Sequence, residues 1–313
     1  MNLNEILGIK YPIIQGGMAH IARGAFAAAV SNAGGLGMVA LGGSTPEEFR
    51  EQIKICKNNT DKPFGVNLLL LHDKIDEIVD IVVEEKVGVV TTGAGNPGIF
   101  MDRLLSCGAK VIPVVADSSL AIRMEEAGAH AVIAEGCEAG GHVGNLTTMV
   151  LLPQVCDSVN IPVIAAGGVA TGKQFLAAEI LGACGVQMGT ALLATDECPI
   201  HDAYKEKVIG SKSSRVVVIG RINGYQTQMI KNSMTREYTR REKEGASVDA
   251  LESLTLGALR RAVDEGDVTN GSLMAGQVVG QVHEQMPVAA LFEKLMSEYA
   301  KARKEMLEGE VKP

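Results

Sequence analysis

The chain predicts a closed (β/α)8 TIM barrel with a small domain inserted near the C-terminal end of the barrel. Three observations lead there. Eight short, almost wholly apolar runs recur along the chain, as strands of a parallel sheet covered on both faces should. An amphipathic stretch follows nearly every run, so the repeating unit is βα. Eight such units within about 190 residues suit a ring better than an open doubly wound sheet.

In order, the expected strands are 12–17 (PIIQGG), 36–41 (LGMVAL), 64–70 (FGVNLLL), 87–93 (VGVVTTG), 110–115 (KVIPVV), 131–136 (AVIAEG), 162–168 (PVIAAGG) and 185–190 (GVQMGT). Helices are expected at 19–33, 47–58, 76–85, 101–107, 118–127, 147–158 and 173–181. The second of these opens after Thr45-Pro46, a capping residue followed by proline in the first turn. The βα rhythm breaks beyond 198. Residues 200–261 hold 12 Lys and Arg against 7 Asp and Glu, a net of +5 in a chain of net charge -8. The expected organisation is therefore a barrel core at 1–198, a basic lid or small domain at 199–269, and C-terminal helices at 270–313 that complete the barrel. The 288–308 stretch carries the helical apolar period that would pack the last of them.

Composition narrows the function. With 313 residues and 46% hydrophobic content there is ample chain for a large core. A net charge of -8 does not suit nucleic acid, and the absence of Trp with 4% aromatics argues against base-stacking platforms. The six cysteines form no C-x-x-C pair, and no His and carboxylate set has metal-ligand spacing, so no metal site is expected. The N-terminus lacks the apolar region of a secretory signal, and no clean span of about 20 apolar residues occurs. A cytoplasmic protein without a membrane segment is expected.

In a barrel the chemistry gathers where strands end. Here the ends read Gly16-Gly17-Met18, Asn67, Thr91-Thr92-Gly93, Glu135-Gly136, Ala166-Gly167-Gly168 and Met188-Gly189-Thr190. So many small residues at one mouth favour a flat ligand lying against backbone. Glycines after the seventh and eighth strands suit a phosphate held on backbone amides at a helix N-terminus. Two lookalikes are set aside. The run from Gly167 to Lys173 fits a P-loop, but Gln174 stands where a magnesium-binding hydroxyl is required. The run from Gly93 to Gly98 fits a dinucleotide fingerprint, yet it follows only the fourth of eight similar units. His142 sits in a glycine-flanked loop after the sixth strand, with Glu135 and Glu138 near it in sequence. That setting makes it the candidate proton donor or acceptor. His20, His72, His130, His201 and His283 lack such a setting. The Met274 to Gln277 step reads either as chain returning against a ligand or as a plain helix start.

Together these motifs resemble the nitronate monooxygenase and enoyl-reductase flavoprotein superfamily. The resemblance rests on 11–18 (YPIIQGGM), 32–37, 62–67, 90–97, 134–142 (AEGCEAGGH), 164–168 and 187–190 (QMGT). Within it, the chain looks most like the FMN-dependent enoyl-acyl-carrier-protein reductase II family, on 113–115, 144–149, 204–207, 230–232, Thr235-Arg236 and 266–277. The resemblance implies FMN, reduction by NADH or NADPH, and hydride delivery to a trans-2-enoyl thioester on acyl carrier protein. It implies His142 as the catalytic residue. The cofactor-binding set, with the strand ends above, is expected to be Gly16, Gly17, Met18, Asn67, Thr92, Glu135, Gly144, Ala166, Gly167, Gly168, Gln187, Met188, Gly189, Thr190, Met274 and Gly276. A monovalent cation and a homodimer are further expectations. The basic insertion, with Lys205, Lys207, Arg236, Arg240 and Arg241, would steer an acidic carrier protein. The alternatives are a nitronate monooxygenase using FMN and O2, and a non-enzymatic barrel that stores or senses flavin or a phosphorylated metabolite.

Overall fold

Residues 3–222 and 224–309 are described in the computed structural model; Met1, Asn2, Asn223 and 310–313, which fall in the three segments expected above, lie outside the described residues. Eight parallel strands form the barrel: β1 (Ile13–Gln15), β2 (Gly37–Ala40), β3 (Phe64–Leu69), β4 (Val89–Gly93), β5 (Lys110–Val115), β6 (Val132–Glu135), β8 (Val163–Ala166) and β9 (Val186–Met188). Each lies within one of the eight apolar runs. The sheet runs β1-β9-β8-β6-β5-β4-β3-β2. A parallel bridge between Ile14 and Leu36 joins the two ends into a ring.

That last seam is thin. Gln15 N donates to Leu36 O at 2.9 Å, Leu36 N donates to Ile13 O at 2.9 Å, and beyond them the backbones part. The Gln15 side chain takes over: its Oε1 accepts from Met38 N at 2.9 Å. A side-chain amide here does the work of a ladder carbonyl, which satisfies a buried N–H that would otherwise be orphaned.

Seven helices lie outside the ring between consecutive strands: α2 (Gly24–Asn32), α3 (Pro46–Asn59), α4 (Ile75–Glu84), α5 (Met101–Ser106), α6 (Ser118–Glu126), α7 (Thr148–Ser158) and α8 (Gly172–Ile180). Thr45 and Thr171 each close a capping box, with Glu48 and Gln174, that fixes where α3 and α8 begin. Glycine sets how closely α2 approaches. A Cβ on Gly37 would overlap the backbone of Ala27, and one on Gly24 the carbonyl of Gln52. The eighth barrel helix is α13 (Val288–Leu307), which packs against α8 and α2. After residue 270 the described residues hold a 3-10 turn at Gln277–Gln281 and this one long α-helix. A short helix α1 (Leu3–Leu7) adds Leu3 and Leu7 to the apolar cluster inside the ring.

Between β9 and α13 the chain makes α9 (Asp202–Ile209), the hairpin β10 (Val216–Ile219) and β11 (Thr227–Ile230), then α10 (Ser233–Lys243), α11 (Val248–Thr255) and α12 (Ala258–Glu265). The insertion thus occupies the eighth βα loop, at the end of the barrel where the strands finish. Its hairpin builds a second sheet, β10-β11-β7, with β7 (Gly141–His142) of the loop after β6. None of the described helices is long and apolar enough to cross a membrane.

Candidate active site

Strand alternation decides which side chains enter the barrel. Ile14, Met38, Val89, Ile112, Ile133, Ile164 and Ala166 fill one apolar cluster inside the ring, while Ile13, Val39, Val66, Val90, Val111, Val132 and Val186 join the cluster beneath the helices. Carrying that parity to the strand ends turns Asn67, Thr91, Glu135 and Gln187 inward as a polar layer above the apolar one. Asn67 Nδ2 donates to Thr91 Oγ1 at 2.9 Å across β3 and β4. A Cβ on Gly17 would overlap the Asn67 side chain, so the glycine is what lets the asparagine stand there.

Two of the expected contacts move. Thr92 shares its sheet face with Val90 and Leu68, and its side chain is buried toward the helices. Thr91 faces the mouth in its place. The Met188 side chain likewise joins the outer core, and only its carbonyl serves the mouth side, accepting from Gly16 N at 2.8 Å. Both follow from the period of two: the residues next to an inward position face out.

Two features at the mouth invite a ligand. The Gln187 Oε1 is buried with no hydrogen-bond partner, an arrangement that native interiors rarely leave standing. Along the turn from β8 to α8, Gly167 and Gly168 hold positive φ of 81° and 77°. The register of β8 with β9 turns the Gly167 amide toward the Gln187 carbonyl, and no acceptor among the described residues takes the amides of Gly168 or Val169. These amides suit a phosphate, as does the short helical turn that starts at Thr190 after Gly189. Thr190 Oγ1 accepts from Gly276 N at 2.8 Å, which ties this turn to the returning chain. Met18 lies beside Gly189, and Gly144 beside Ala116.

Glu135 is reachable from the mouth but enclosed by protein below, and desolvation pushes its carboxyl up to about 7. The imidazole of His142 is open to solvent, yet desolvation by the surrounding protein holds its pKa below the ordinary histidine value. It is therefore neutral at neutral pH and able to donate from one nitrogen and accept at the other.

The loop that carries His142 is clamped on three sides. The Glu138 carboxylate accepts from Thr148 N at 2.9 Å and Thr148 Oγ1 at 3.0 Å, capping α7. Gln277 N donates to Glu138 O at 2.9 Å, and Gly140 sits against Ala275 so closely that a Cβ would touch its backbone. On the third side β11 pairs His142 with Thr227 and Gly141 with Gln228. Met274 and Gly276 are thus part of a returning segment pressed against the histidine loop, with Met274 O accepting from Tyr204 Oη at 2.8 Å. The helical turn begins only at Gln277. Nothing in the sequence announced that the insertion would complete a sheet with His142: residues 226–230 read Gln-Thr-Gln-Met-Ile, with no alternation to mark a strand.

Two of the remaining histidines serve local structure. His201 Nδ1 caps α9, accepting from Ala203 N at 3.1 Å, and His72 Nδ1 accepts from Lys74 N at 3.1 Å. All six cysteines are free thiols. The basic surface shrinks. Lys205 is buried with its Nζ donating to Asp196 O, and Arg240 and Arg241 pair with Glu237 and Glu244 on their own helix.

Known proteins give the same picture. The family model described as nitronate monooxygenase matches residues 1–79 and 71–298. A probable nitronate monooxygenase of Staphylococcus saprophyticus is 31% identical, covering 94% of this chain and 96% of its own. A (3aS,4S,5R,7aS)-5-hydroxy-7a-methyl-1-oxo-octahydro-1H-indene-4-carboxyl-CoA dehydrogenase of Mycobacterium tuberculosis is 36% identical over 75% of this chain and 67% of its own. Among solved structures, FabK from Thermotoga maritima superposes with a TM-score of 0.95 at 45% identity, covering 99% of this chain and 98% of its own. A nitroalkane oxidase from Streptomyces ansochromogenes superposes at 0.86 with 29% identity, covering 97% and 99%. The barrel with its mouth of glycines and inward polar side chains agrees with these likenesses, and the family model together with the 31% identical relative shows that the chain belongs to the nitronate monooxygenase family.

Proposed function

We propose that the protein is an FMN-dependent enoyl-acyl-carrier-protein reductase. The observation that carries this reading is the full-length likeness to FabK from Thermotoga maritima at 45% identity. The mouth fits the cofactor on its own chemistry. The unpartnered Gln187 Oε1 suits the imide N–H of a flavin ring, and the free amides of Gly168 and Val169 suit its phosphate. Asn67, Thr91 and Glu135 supply the rest of the inward polar layer. Bound FMN would supply hydride transfer, taking it from NADH or NADPH and giving it to the substrate.

The chain's own task is positioning and proton management. Reduction of an alkene conjugated to a thioester places negative charge on the thioester oxygen and calls for a proton at the α-carbon. His142 is assigned to that proton, or to a hydrogen bond to that oxygen. Its lowered pKa keeps it uncharged at neutral pH, so one ring nitrogen can donate while the other accepts. The carrier-protein partner, the homodimer, the monovalent cation and a cytoplasmic setting belong to this reading through the resemblance alone. Lys207 and Arg236 are the basic residues of the insertion that remain candidates to meet an acidic carrier.

His142→Ala tests the assignment. The variant should purify with FMN, and NADH should bleach it normally, while turnover of a crotonyl thioester falls by about 100-fold or more. Wild-type turnover in this variant would remove His142 from the chemistry. The nitronate monooxygenase reading draws on the 31% identical Staphylococcus relative and the nitroalkane oxidase structure. Anaerobic NADH-dependent reduction of the thioester supports the reductase; O2 consumption with a small nitronate, and no thioester reduction, supports the other.

A further inference from the structure

The side chain of Gln228 joins three parts of the molecule that meet nowhere else in the same way. It belongs to β11 of the insertion and is 2% exposed. Its Nε2 donates to Cys137 O at 3.1 Å and to Ala139 O, two carbonyls of the loop that leads to His142. Its Oε1 lies 3.4 Å from Gln277 Nε2 of the returning segment. Its backbone pairs with Gly141, while the preceding Thr227 pairs with His142 itself. Further along, Val143 N donates to Gln226 O at 3.2 Å, and Gln226 Nε2 donates to Asn145 Oδ1 at 3.0 Å.

Glu138 and Gly140 anchor the middle of the loop, as described above, and the turn into His142 itself is made of glycine. Gly140 and Gly141 flank the turn into His142, and Gly141 has a φ of 81°. Glycines leave the backbone free to choose other conformations. The carbonyls of Cys137 and Ala139 point to one amide group because that amide is there. On its other side β11 is bridged to the returning chain, with Met229 opposite Met274 and Ile230 N donating to Leu273 O at 2.8 Å. The hairpin is thus fastened between the histidine loop and the return segment, and among the described residues Gln228 bonds to both through its side chain.

We infer that Gln228 is a positioning residue: through its amide the inserted domain holds the 137–142 loop, so that the insertion and His142 keep or lose their working geometry as one unit. The inference rests on the reading of His142 given under the proposed function. It adds that the insertion does more than cover the barrel, because the catalytic loop owes its conformation to it. A residue acting this way should affect the rate of the step that uses His142 more than the binding of substrate.

Gln228→Met keeps the length of the side chain and removes both donor hydrogens. The variant should keep the FMN content of the wild type and reduce its flavin with NADH at the wild-type rate. For thioester reduction, kcat should fall by about tenfold or more while KM changes less than about threefold. Gln228→Glu, which sets a carboxylate against two carbonyls, should fall at least as far. Equal losses in flavin content and in both half-reactions would reveal general damage to the fold and overturn the inference, as would a wild-type kcat. The unsubstituted protein gives a second measurement. Amide hydrogen exchange in peptides covering 136–147 and 224–231 should show one shared opening event. Exchange of the histidine loop at a much faster rate than the hairpin would overturn the inference whatever the variants do. His142→Ala keeps the two readings apart. If it retains full turnover, the role of the histidine fails, and the exchange experiment still decides whether insertion and loop open together.

Discussion

At Glu135 a single carboxyl records how dry the barrel mouth is. Burial raises it from 4.5 to about 7. The sign follows from linkage: a folded pKa above the unfolded one means that the folded state binds the proton more tightly. The favourable contribution is complete below about pH 4.5 and is lost as pH rises through about 7, to at most about 3 kcal/mol. Glu135→Gln should therefore be more stable than the wild type at pH 8 and little different at pH 4.5, as read from urea midpoints across that range. Two stability curves running parallel over pH would contradict this. The neighbouring polar positions show what was readable at this scale. Asn67 and Glu135 could be placed by listing strand ends, whereas Gln187 was named only through the family resemblance. Thr91 and Thr92 could not be separated that way, because the choice depends on which of two adjacent threonines shares the parity of Val89. That parity was available from the alternation, but β4 is apolar on both faces, so its pattern carries almost no phase.

Among the elements, the close approach of α2 to β2 turns on a hydrogen atom. A methyl group at Gly37 would occupy the space of the Ala27 backbone, and backbone cannot rotate aside as a side chain can. Gly37→Ala should thus cost on the order of 3 kcal/mol, seen as a lower urea midpoint with an unchanged slope. A change below about 0.5 kcal/mol would mean that α2 can shift freely. The start of α3 was legible because Thr45 and Pro46 spell a cap and a first-turn proline, while the box of Thr171 with Gln174 that opens α8 was not read from the sequence. The β1 to β2 seam was not. Its backbone pairing is supplemented by the Gln15 side chain, and nothing local distinguishes that glutamine from one that serves a ligand.

Over the whole molecule, α13 ties the end of the chain to its beginning. Phe292 is fully buried, stands edge-on to Tyr11 with ring centroids 6.2 Å apart, and covers Gly35. Those two contacts lie just ahead of β1 and β2, at the thin seam of the ring. Phe292→Ala should cost about 3–5 kcal/mol and speed amide exchange in β1 and β2 before the other strands. If all strands exchanged alike, α13 would have no special hold on the seam. The charge of the molecule also reads differently at this scale. The insertion is net basic by count, but Lys205 is buried and Arg240 and Arg241 are paired within α10, so the count overstates the surface available to an acidic partner.

The sequence by itself determined the barrel, the order of its elements, and the glycine-rich mouth, because each is encoded in short-range periodicity, capping and turn residues. Local pattern could not decide which adjacent residue faces the ligand, how the ring closes, or that residues 226–228 would complete a sheet with His142. The last of these joins Thr227 to His142 across 85 residues of chain, and only the packed chain brings such segments within hydrogen-bonding distance.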